Sequence, residues 1–386
     1  MTERYQKDSS FSVKDIPAQG LPTDESVGAL EPVAFFNGPM PTGITVSQNG
    51  RMFVNFPRWE DDVQYTVAEI IKDGYIAPYP DEIINKANED DLASSFVSVQ
   101  SIIIDPLDRL WVLDTGSPLF KPTEYGGPKL ICIDINTNKI IKKILFPQSV
   151  VLSSSYLNDL RIDLRRGQEG MAFITDSSQK GPNGIIVADL ASGESWRRLE
   201  DHPSTMPEDL QTFLPMVEGR PFLEQTADGS LKQGANMGID GIAINADGSR
   251  IYYCPLGSRR LYSVDINTLT DRKKSDQDVA DTVIDEGDKG GASDGLESDA
   301  EGNIYATNYE HNSILIRRSY DKMWEILVHD SRLLWPDTLC LAMDGYLYVM
   351  SNQLHRQSRY NKGRDLRRKP YTLFRIKVDA KPVLLL

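Results

Sequence analysis

Ile239-Asp-Gly-Ile-Ala-Ile-Asn-Ala-Asp-Gly-Ser-Arg-Ile-Tyr-Tyr253 is a short apolar strand, a tight turn and a second strand rich in aromatics. The same pattern returns at Pro41–Val54, Val99–Val112, Ser293–Ala306 and Trp335–Val349. A split copy runs from Leu157-Asn-Asp-Leu-Arg-Ile-Asp163 to Met171-Ala-Phe-Ile-Thr-Asp176. Recurrence at tens of residues marks a solenoid or propeller. Two strands per copy and a further pair between copies predict four-stranded antiparallel blades. Six copies predict an all-β, six-bladed propeller.

Local chemistry agrees. Period-2 alternation bounded by Gly, Pro, Asn and Asp is the strand pattern. Asn49-Gly50, Asp247-Gly248, Glu301-Gly302 and Asp344-Gly345 put glycine where a hairpin needs positive φ. The best helix candidate, Pro80 to Ser94, lies between two copies. The stretch Asp201 to Gly234 reads as a long surface excursion. The late strand Tyr371–Val378 is expected to pair with Pro32–Phe36, closing the ring and removing a free sheet edge. Residues 1–28 read as a polar, disordered tail and 29–386 as a single propeller domain.

Composition bounds the partners. A net charge of −14 disfavours nucleic acid and anionic membrane surfaces, which would repel the chain. No apolar run approaches the ~18 residues of a membrane span. The N-terminus lacks the apolar core of a secretory signal. Cys132, Cys254 and Cys340 are odd in number and far apart, and no Asn-X-Ser/Thr acceptor occurs. These features predict a cytoplasmic protein with reduced thiols.

In a propeller the first strand of each blade lines the central channel, so its leading loop and the loop after the second strand open on one face. Function concentrates on such loops. The leading positions are Thr42, Gln100, Asn158-Asp159, Asp240, Asp294 and Asp337. The other loops supply Arg58, Trp59, Asp114, Ser117, Asp176, Lys180, Arg259, Asn308, Tyr309, His311, Asn352 and His355. Aspartate occupies four of the six leading positions. Converging carboxylates repel by about 2 kcal/mol per pair at an effective dielectric of ~20. Such a ring binds a cation, shares protons, or is heavily hydrogen-bonded. Its oxygen-only character would suit Ca²⁺ or Mg²⁺. The bland reading of each Asp is a turn cap, and that of His311 and His355 a solvated loop; their other reading is a general acid or base. His202 and His329 fall off the expected mouth. The basic run Arg356 to Lys369 reads as a solvated loop or as a lid over the mouth that attracts an anionic or phenolate ligand. Hydrolase elbows, Walker loops and dinucleotide fingerprints are absent.

Val99-Gln-Ser-Ile-Ile-Ile-Asp-Pro-Leu-Asp-Arg-Leu-Trp-Val-Leu-Asp-Thr-Gly116 and Pro128-Lys-Leu-Ile-Cys-Ile-Asp134 carry a family resemblance. With Leu157–Asp163, Ala172–Ser177, Gly184–Asp189 and Ser351-Asn352, they resemble the major royal jelly protein/yellow family from about Gly38 to Val378. That resemblance implies a six-bladed propeller binding small molecules at the channel mouth, in a family that includes dopachrome-converting enzymes and amine-binding proteins. A more distant likeness to gluconolactonase/senescence-marker propellers implies a divalent metal held by Asp294, Asp240 and Asn158. Where those proteins have a first-blade glutamate, this chain has Thr42 or Gly43.

Three functions follow as expectations. The first is a cofactor-independent isomerase, tautomerase or cyclase of specialised metabolism, with Asp159, Asp240, Asp294, Asp337 and His311 moving protons. Gln100, Asn158, Arg58, Trp59, Asp114, Asp176, Asn308, Tyr309, Trp335, Asn352 and His355 would bind its small-molecule substrate. The second is a non-catalytic binder of an amine or phenol. The third is a metal-dependent lactonase.

Overall fold

A computed structural model describes residues 24–71, 75–209, 211–225, 228–229 and 231–386. Most of the expected N-terminal tail therefore lies outside the described residues; Val27, near its end, bridges to His329 of blade 5. Six four-stranded antiparallel sheets surround one channel. Their innermost strands are Gly43–Val46, Val99–Ile104, Leu157–Asp163, Ile239–Ile244, Leu296–Ser298 and Pro336–Leu341, which define blades 1 to 6. Blade 6 is completed by Tyr371–Lys377 and then Glu31–Phe36, with Phe36 opposite Tyr371. That pairing ties the two ends of the described chain together and leaves no open seam.

The turn between the first two strands shows why the repeat folds. Gly50, Gly248, Gly302 and Gly345 all have positive φ, between 67° and 85°. Blade 2 puts Asp108 there instead, at φ 58°, and Asp tolerates the left-handed region better than most residues. The aspartate opening the turn also anchors the aromatic of the second strand: Trp111 Nε1 donates to Asp105 at 2.8 Å and Tyr305 Oη to Asp299 at 2.8 Å. Between blades, alternate residues form dry layers, such as Trp111, Leu130 and Cys132 against Leu157, Leu160 and Ile174.

Two expectations are corrected. Pro80 to Ser94 forms only one α-helical turn, Glu82–Asn85 capped by Asp81, and a 3-10 turn at Leu92–Ser94. Too few consecutive apolar positions share a helical face to extend it. The stretch 201–234 is more than a surface excursion, although most of its described residues are exposed or half-buried. Its hairpins, Met216–Val217 with Arg220–Pro221 and Leu223–Gln225 with Leu231–Gln233, fold back so that Phe213, Val217 and Phe222 join the core at the channel mouth. Burying those three side chains supplies the hydrophobic gain that an exposed loop would forgo.

Candidate functional site

A bulge near the start of the inner strand builds the site. Register shifts fall between Val99 and Ser101, Leu157 and Leu160, Ile239 and Ile242, and Pro336 and Leu339. A bulge re-aims side chains that strict alternation would send to opposite faces. The channel is consequently ringed in layers. The upper layer is Thr42, Gln100, Asn158, Asp240, Asp294 and Asp337, all buried. Asp159 belongs one layer lower, where it accepts from Ser101 at 2.8 Å and pairs with Arg161 at 3.2 Å. Gly241 and Gly295 permit this convergence. A Cβ on Gly241 would lie 2.5 Å from the Asp294 carbonyl oxygen, and one on Gly295 2.4 Å from that of Asp337.

Three carboxylates of the upper layer are thus confined together. Burial drives Asp240 well above the usual carboxylate range, and the charges of Asp294, Asp337 and Asp159 push it further. Asp294 is raised by burial to about 7, although Trp335 Nε1 donates to its Oδ2 at 2.7 Å and Asp240 hydrogen-bonds to it. Asp337 is raised by burial and by Asp294, against the opposing donation from Asn352 Nδ2 at 2.5 Å. Asp240 and Asp294 are neighbouring buried carboxyls, both raised above the usual carboxylate range. Like charges this close in a dry site cannot both ionise readily.

The residue two places before the ring supplies its upper wall. In four of the six blades that position holds Met40, Tyr156, Ala292 or Trp335, all buried in one cluster; the other two have Ser98 and Gly238. Trp335 adopts φ 58°, a strained conformation for a bulky residue that persists only where its surroundings over-determine it. Its ring stacks on Tyr309 at 4.2 Å and 10°, with His355 behind at 5.9 Å. Opposite, Trp59 Nε1 donates to Tyr156 Oη at 2.6 Å, and Tyr156 donates to Gln100 at 2.9 Å.

Both insertions close the mouth. Phe222 lies 5.0 Å from Trp335 and 4.5 Å from Tyr360, while Phe120 stacks between Trp59 and Tyr156. Arg359 spans the two halves, 5.0 Å from the Phe120 ring and 4.7 Å from that of Tyr360. The first part of the basic run therefore packs across the mouth, while 362–366 are exposed. Glu218 fastens it by pairing with Arg356 and lying 3.1 Å from His355 Nε2. The His355 approach is close without being aligned, and neither ring nitrogen makes a hydrogen bond among the described residues. Glu310 holds the first hairpin, accepting from Met216 N at 3.0 Å and from Arg259 at 2.7 Å.

Several expected site residues lie elsewhere. His311 is on the outer flank, where its carbonyl contacts His329 Nδ1 at 2.9 Å. Arg58 is committed to the carbonyls of Phe96, Val97 and Asn85. Asp114 pairs with Lys129 at 2.9 Å, and Asp176 with Arg197 at 2.8 Å. Asn308 Oδ1 accepts from the His311 backbone at 3.3 Å. These side chains turn back to fasten loops because backbone donors and carbonyl acceptors sit beside them. Sequence reasoning missed Tyr156, Phe222, Tyr360, Glu218, Glu310 and Arg161. Of these, Tyr156 was findable from its place beside Asn158.

Below the ring the channel widens into a cavity of about 110 Å³, where Arg161 meets Asp159, Glu297 and Cys340. Pro382–Leu384 covers its far end.

A six-bladed propeller with a polar channel ring is the class of protein these features define. The chain belongs to the major royal jelly protein family, whose model matches residues 97–382. It is 28% identical to protein yellow of Drosophila madeirensis over 63% of this chain and 42% of that one. It is 32% identical to major royal jelly protein 7 of Apis mellifera over 49% of this chain and 39% of that one. The chain thus spans less than half the length of either relative. A gluconolactonase of Xanthomonas campestris superposes with a TM-score of 0.51 at 11% identity, covering 93% of this chain and 98% of that one, which is a likeness of fold.

Family membership corrects the cytoplasmic expectation, because yellow and major royal jelly proteins are secreted proteins. The cysteines misled because all three are free and buried. Burial raises the Cys132 and Cys340 thiols to about 12 and Cys254 to about 11. Such thiols stay protonated and unreactive whatever the compartment. Among the described residues no helix is long and apolar enough to cross a membrane.

The donor set does not fit a lactonase metal. Thr42 stands at the glutamate position, where its hydroxyl is engaged by Asn55, and Asp294 is held by an indole N–H. Among the described residues no group of three or more His, Cys, Asp or Glu side chains is arranged to hold an ion.

Proposed function

We propose that the mouth of this propeller is a proton-transfer site for a small organic molecule, with the chemistry of a cofactor-independent isomerase, tautomerase or cyclase. The observation that supports the reading is the set of buried carboxyls Asp240, Asp294 and Asp337 gathered beneath an aromatic roof, with Asp240 and Asp294 both raised by burial. A carboxylate pair whose environments favour opposite protonation states supplies both a base and an acid. Asp294, oriented by Trp335, takes a proton from an activated carbon or a phenol. Asp240 delivers its own proton elsewhere on the same molecule. Asp337, fixed by Asn352, adds a third carboxyl that hydrogen-bonds the substrate. Ligand access requires Phe222 and Tyr360 to lift, and closure then excludes water.

Solvent-proton exchange tests this directly. The protein is incubated in D₂O with a panel of aryl-pyruvates, catechol-derived aminochromes and cyclic enones, and deuterium uptake is followed by NMR. Wild-type protein is expected to accelerate exchange on at least one class. Asp294→Asn should abolish that acceleration while leaving binding of the same compound within a few-fold. Saturable binding with equal exchange rates in both proteins would reject catalysis. It would favour a second reading, an amine-binding protein, for which the stacked Tyr309–Trp335 pair beside Asp294 offers a cation–π site.

A further inference from the structure

The chamber of about 110 Å³ below the ring has walls and a closure of its own. Ile44, Ile102, Leu339 and Leu341 supply its apolar sides, and Asp159, Arg161 and Glu297 its charged one. Those three side chains keep 14%, 12% and 19% of their surface open, so their polar atoms can be reached from the space they line.

The charges balance inside the chamber. Arg161 pairs with Asp159 at 3.2 Å. Burial works against the guanidinium charge, but Asp159 and Glu297 outweigh it and hold Arg161 above its ordinary value. Burial also raises Glu297, against the opposing charge of Arg161, which favours the neutral carboxyl. Some hydrogen-bonding capacity is left over. Arg161 Nη1 and Nη2 donate to the Leu160 and Leu296 carbonyls at 2.8 and 2.6 Å, whereas Nε makes no hydrogen bond among the described residues. Glu297 Oε2 stands 3.8 Å from Arg161 Nη2, too far for a hydrogen bond. An anion entering here would face Asp159 and a cation would face Arg161, and either would give up its hydration for a partner already paired.

The floor of the chamber is a strap formed by the chain after the last strand. Val378 N and Asp379 N both donate to the Gly345 carbonyl of blade 6, at 3.1 and 3.0 Å. Ala300 N of blade 5 donates to the Lys381 carbonyl at 2.9 Å. On the far side Leu164 N of blade 3 donates to the Leu385 carbonyl at 3.0 Å, and Leu385 is buried among residues of blades 3 and 4. The strap thus crosses the lower end of the channel from one side of the ring to the other. Between its anchors, Val383 and Leu384 line the chamber and make no backbone hydrogen bond among the described residues. A segment tied at its ends and unpaired in the middle opens at a lower cost than a sheet strand.

We propose that the lower chamber is a second binding site, separate from the mouth, for a small uncharged molecule with one hydrogen-bonding end, such as a short carboxamide, and that the strap 379–385 is its gate. An engineered apolar cavity of about 150 Å³ takes benzene, so this one takes a molecule of about four to six non-hydrogen atoms. The guest's carbonyl accepts from Arg161 Nε–H, its N–H donates to Glu297 Oε2, and its alkyl body lies along Ile102, Leu341 and Val383.

The probe is 2-methylpropanamide, titrated into the full chain and followed by methyl-resolved NMR, with 2-methylpropanoate and isobutylammonium as charged analogues of the same size. Saturable shifts are expected at the methyls of Ile102, Leu341 and Val383, with both ions binding at least about tenfold more weakly. Cys340→Leu, which fills the chamber, should abolish those shifts. Leu385→Ala loosens one anchor of the strap. It should speed hydrogen exchange at Leu164 and Ala300 and raise the exit rate of the amide at least about fivefold, while affinity changes less. This second variant carries the test should Cys340→Leu fail to fold. No saturation up to about 50 mM, shifts confined to Met40 at the mouth, or equal binding of the ions would overturn the site. A Leu385→Ala protein with faster Leu164 exchange and an unchanged exit rate would overturn the gate.

Discussion

Trp335 Nε1 donates a 2.7 Å hydrogen bond to Oδ2 of Asp294, and it does so from a backbone held at φ 58°. Strain and function meet in that bond: left-handed geometry turns the indole inward, under Phe222 and against Tyr309. The bond also favours the ionised form of Asp294, opposing burial. Trp335→Phe keeps the stacking and deletes the donor. We expect a stability loss of about 1–3 kcal/mol, read by chemical denaturation, and an upward shift of the apparent Asp294 titration, read by carboxyl-resolved NMR. An unchanged titration would separate Trp335 from the carboxyl pair.

Asp294→Asn makes the cost of the buried charge visible. The folded-state value of Asp294 lies above its unfolded one, at about 7 against 3.8. Its contribution is fully present below the ordinary carboxylate range and is lost as pH rises through the folded value. Each unit of the shift corresponds to about 1.4 kcal/mol. The Asn variant, which can still accept from Trp335, should therefore melt above wild type at pH 8, and the gap should close near pH 4. Scanning calorimetry at the two values decides it; a gap independent of pH would mean that Asp294 does not titrate abnormally.

The fold was legible because its signal is repeated and local. The Asp-Gly turns and alternating strands stand side by side in sequence, and even the closure of Pro32–Phe36 on Tyr371–Val378 could be read from what a free edge costs. The upper ring was legible for the same reason: Asp240, Asp294 and Asp337 occupy one position of a repeat. His311 and Arg58 were misplaced because a loop's sequence does not reveal whether its side chains face the channel or turn back to the scaffold. Phe222 and Tyr360 sit in insertions that no other blade shares, so no internal comparison could place them over the mouth. The pairing of Glu218 with Arg356 spans 138 residues and left no trace in either segment.

Glu218→Gln should loosen the lid without touching the blades. Glu218 is held well below the usual carboxylate range by His355 and Arg356, despite partial burial. A depressed value stabilises above the unfolded pKa and is lost only as pH falls through the folded one. Mild acidification to about pH 5 should therefore leave wild-type lid protection intact, whereas Glu218→Gln should lose it at pH 7. Hydrogen exchange in the hairpins of 216–225 is the measurement, with the Gly184–Asp189 strand as an internal reference. A wild-type lid that opened by pH 5 would show that some other group fastens it.

Lys129→Met tests whether the second-strand aspartates belong to the scaffold. Asp114 accepts from the backbone of Val97 at 2.6 Å, Ser98 at 2.8 Å and Gly116 at 3.0 Å. Lys129 Nζ pairs with it at 2.9 Å and donates to the Leu92 and Gly127 carbonyls, both at 2.9 Å. Both side chains are fully buried, so removing the ammonium leaves a desolvated carboxylate without its counter-charge. Breaking one partner of such a pair costs about 3–5 kcal/mol. Denaturant unfolding of Lys129→Met should show a loss of that size, while channel-ligand affinity at temperatures where the variant is folded stays within about twofold. Loss of affinity without loss of stability would return Asp114 to the binding site, since a group that only ties two loops together cannot change recognition of a molecule it does not touch.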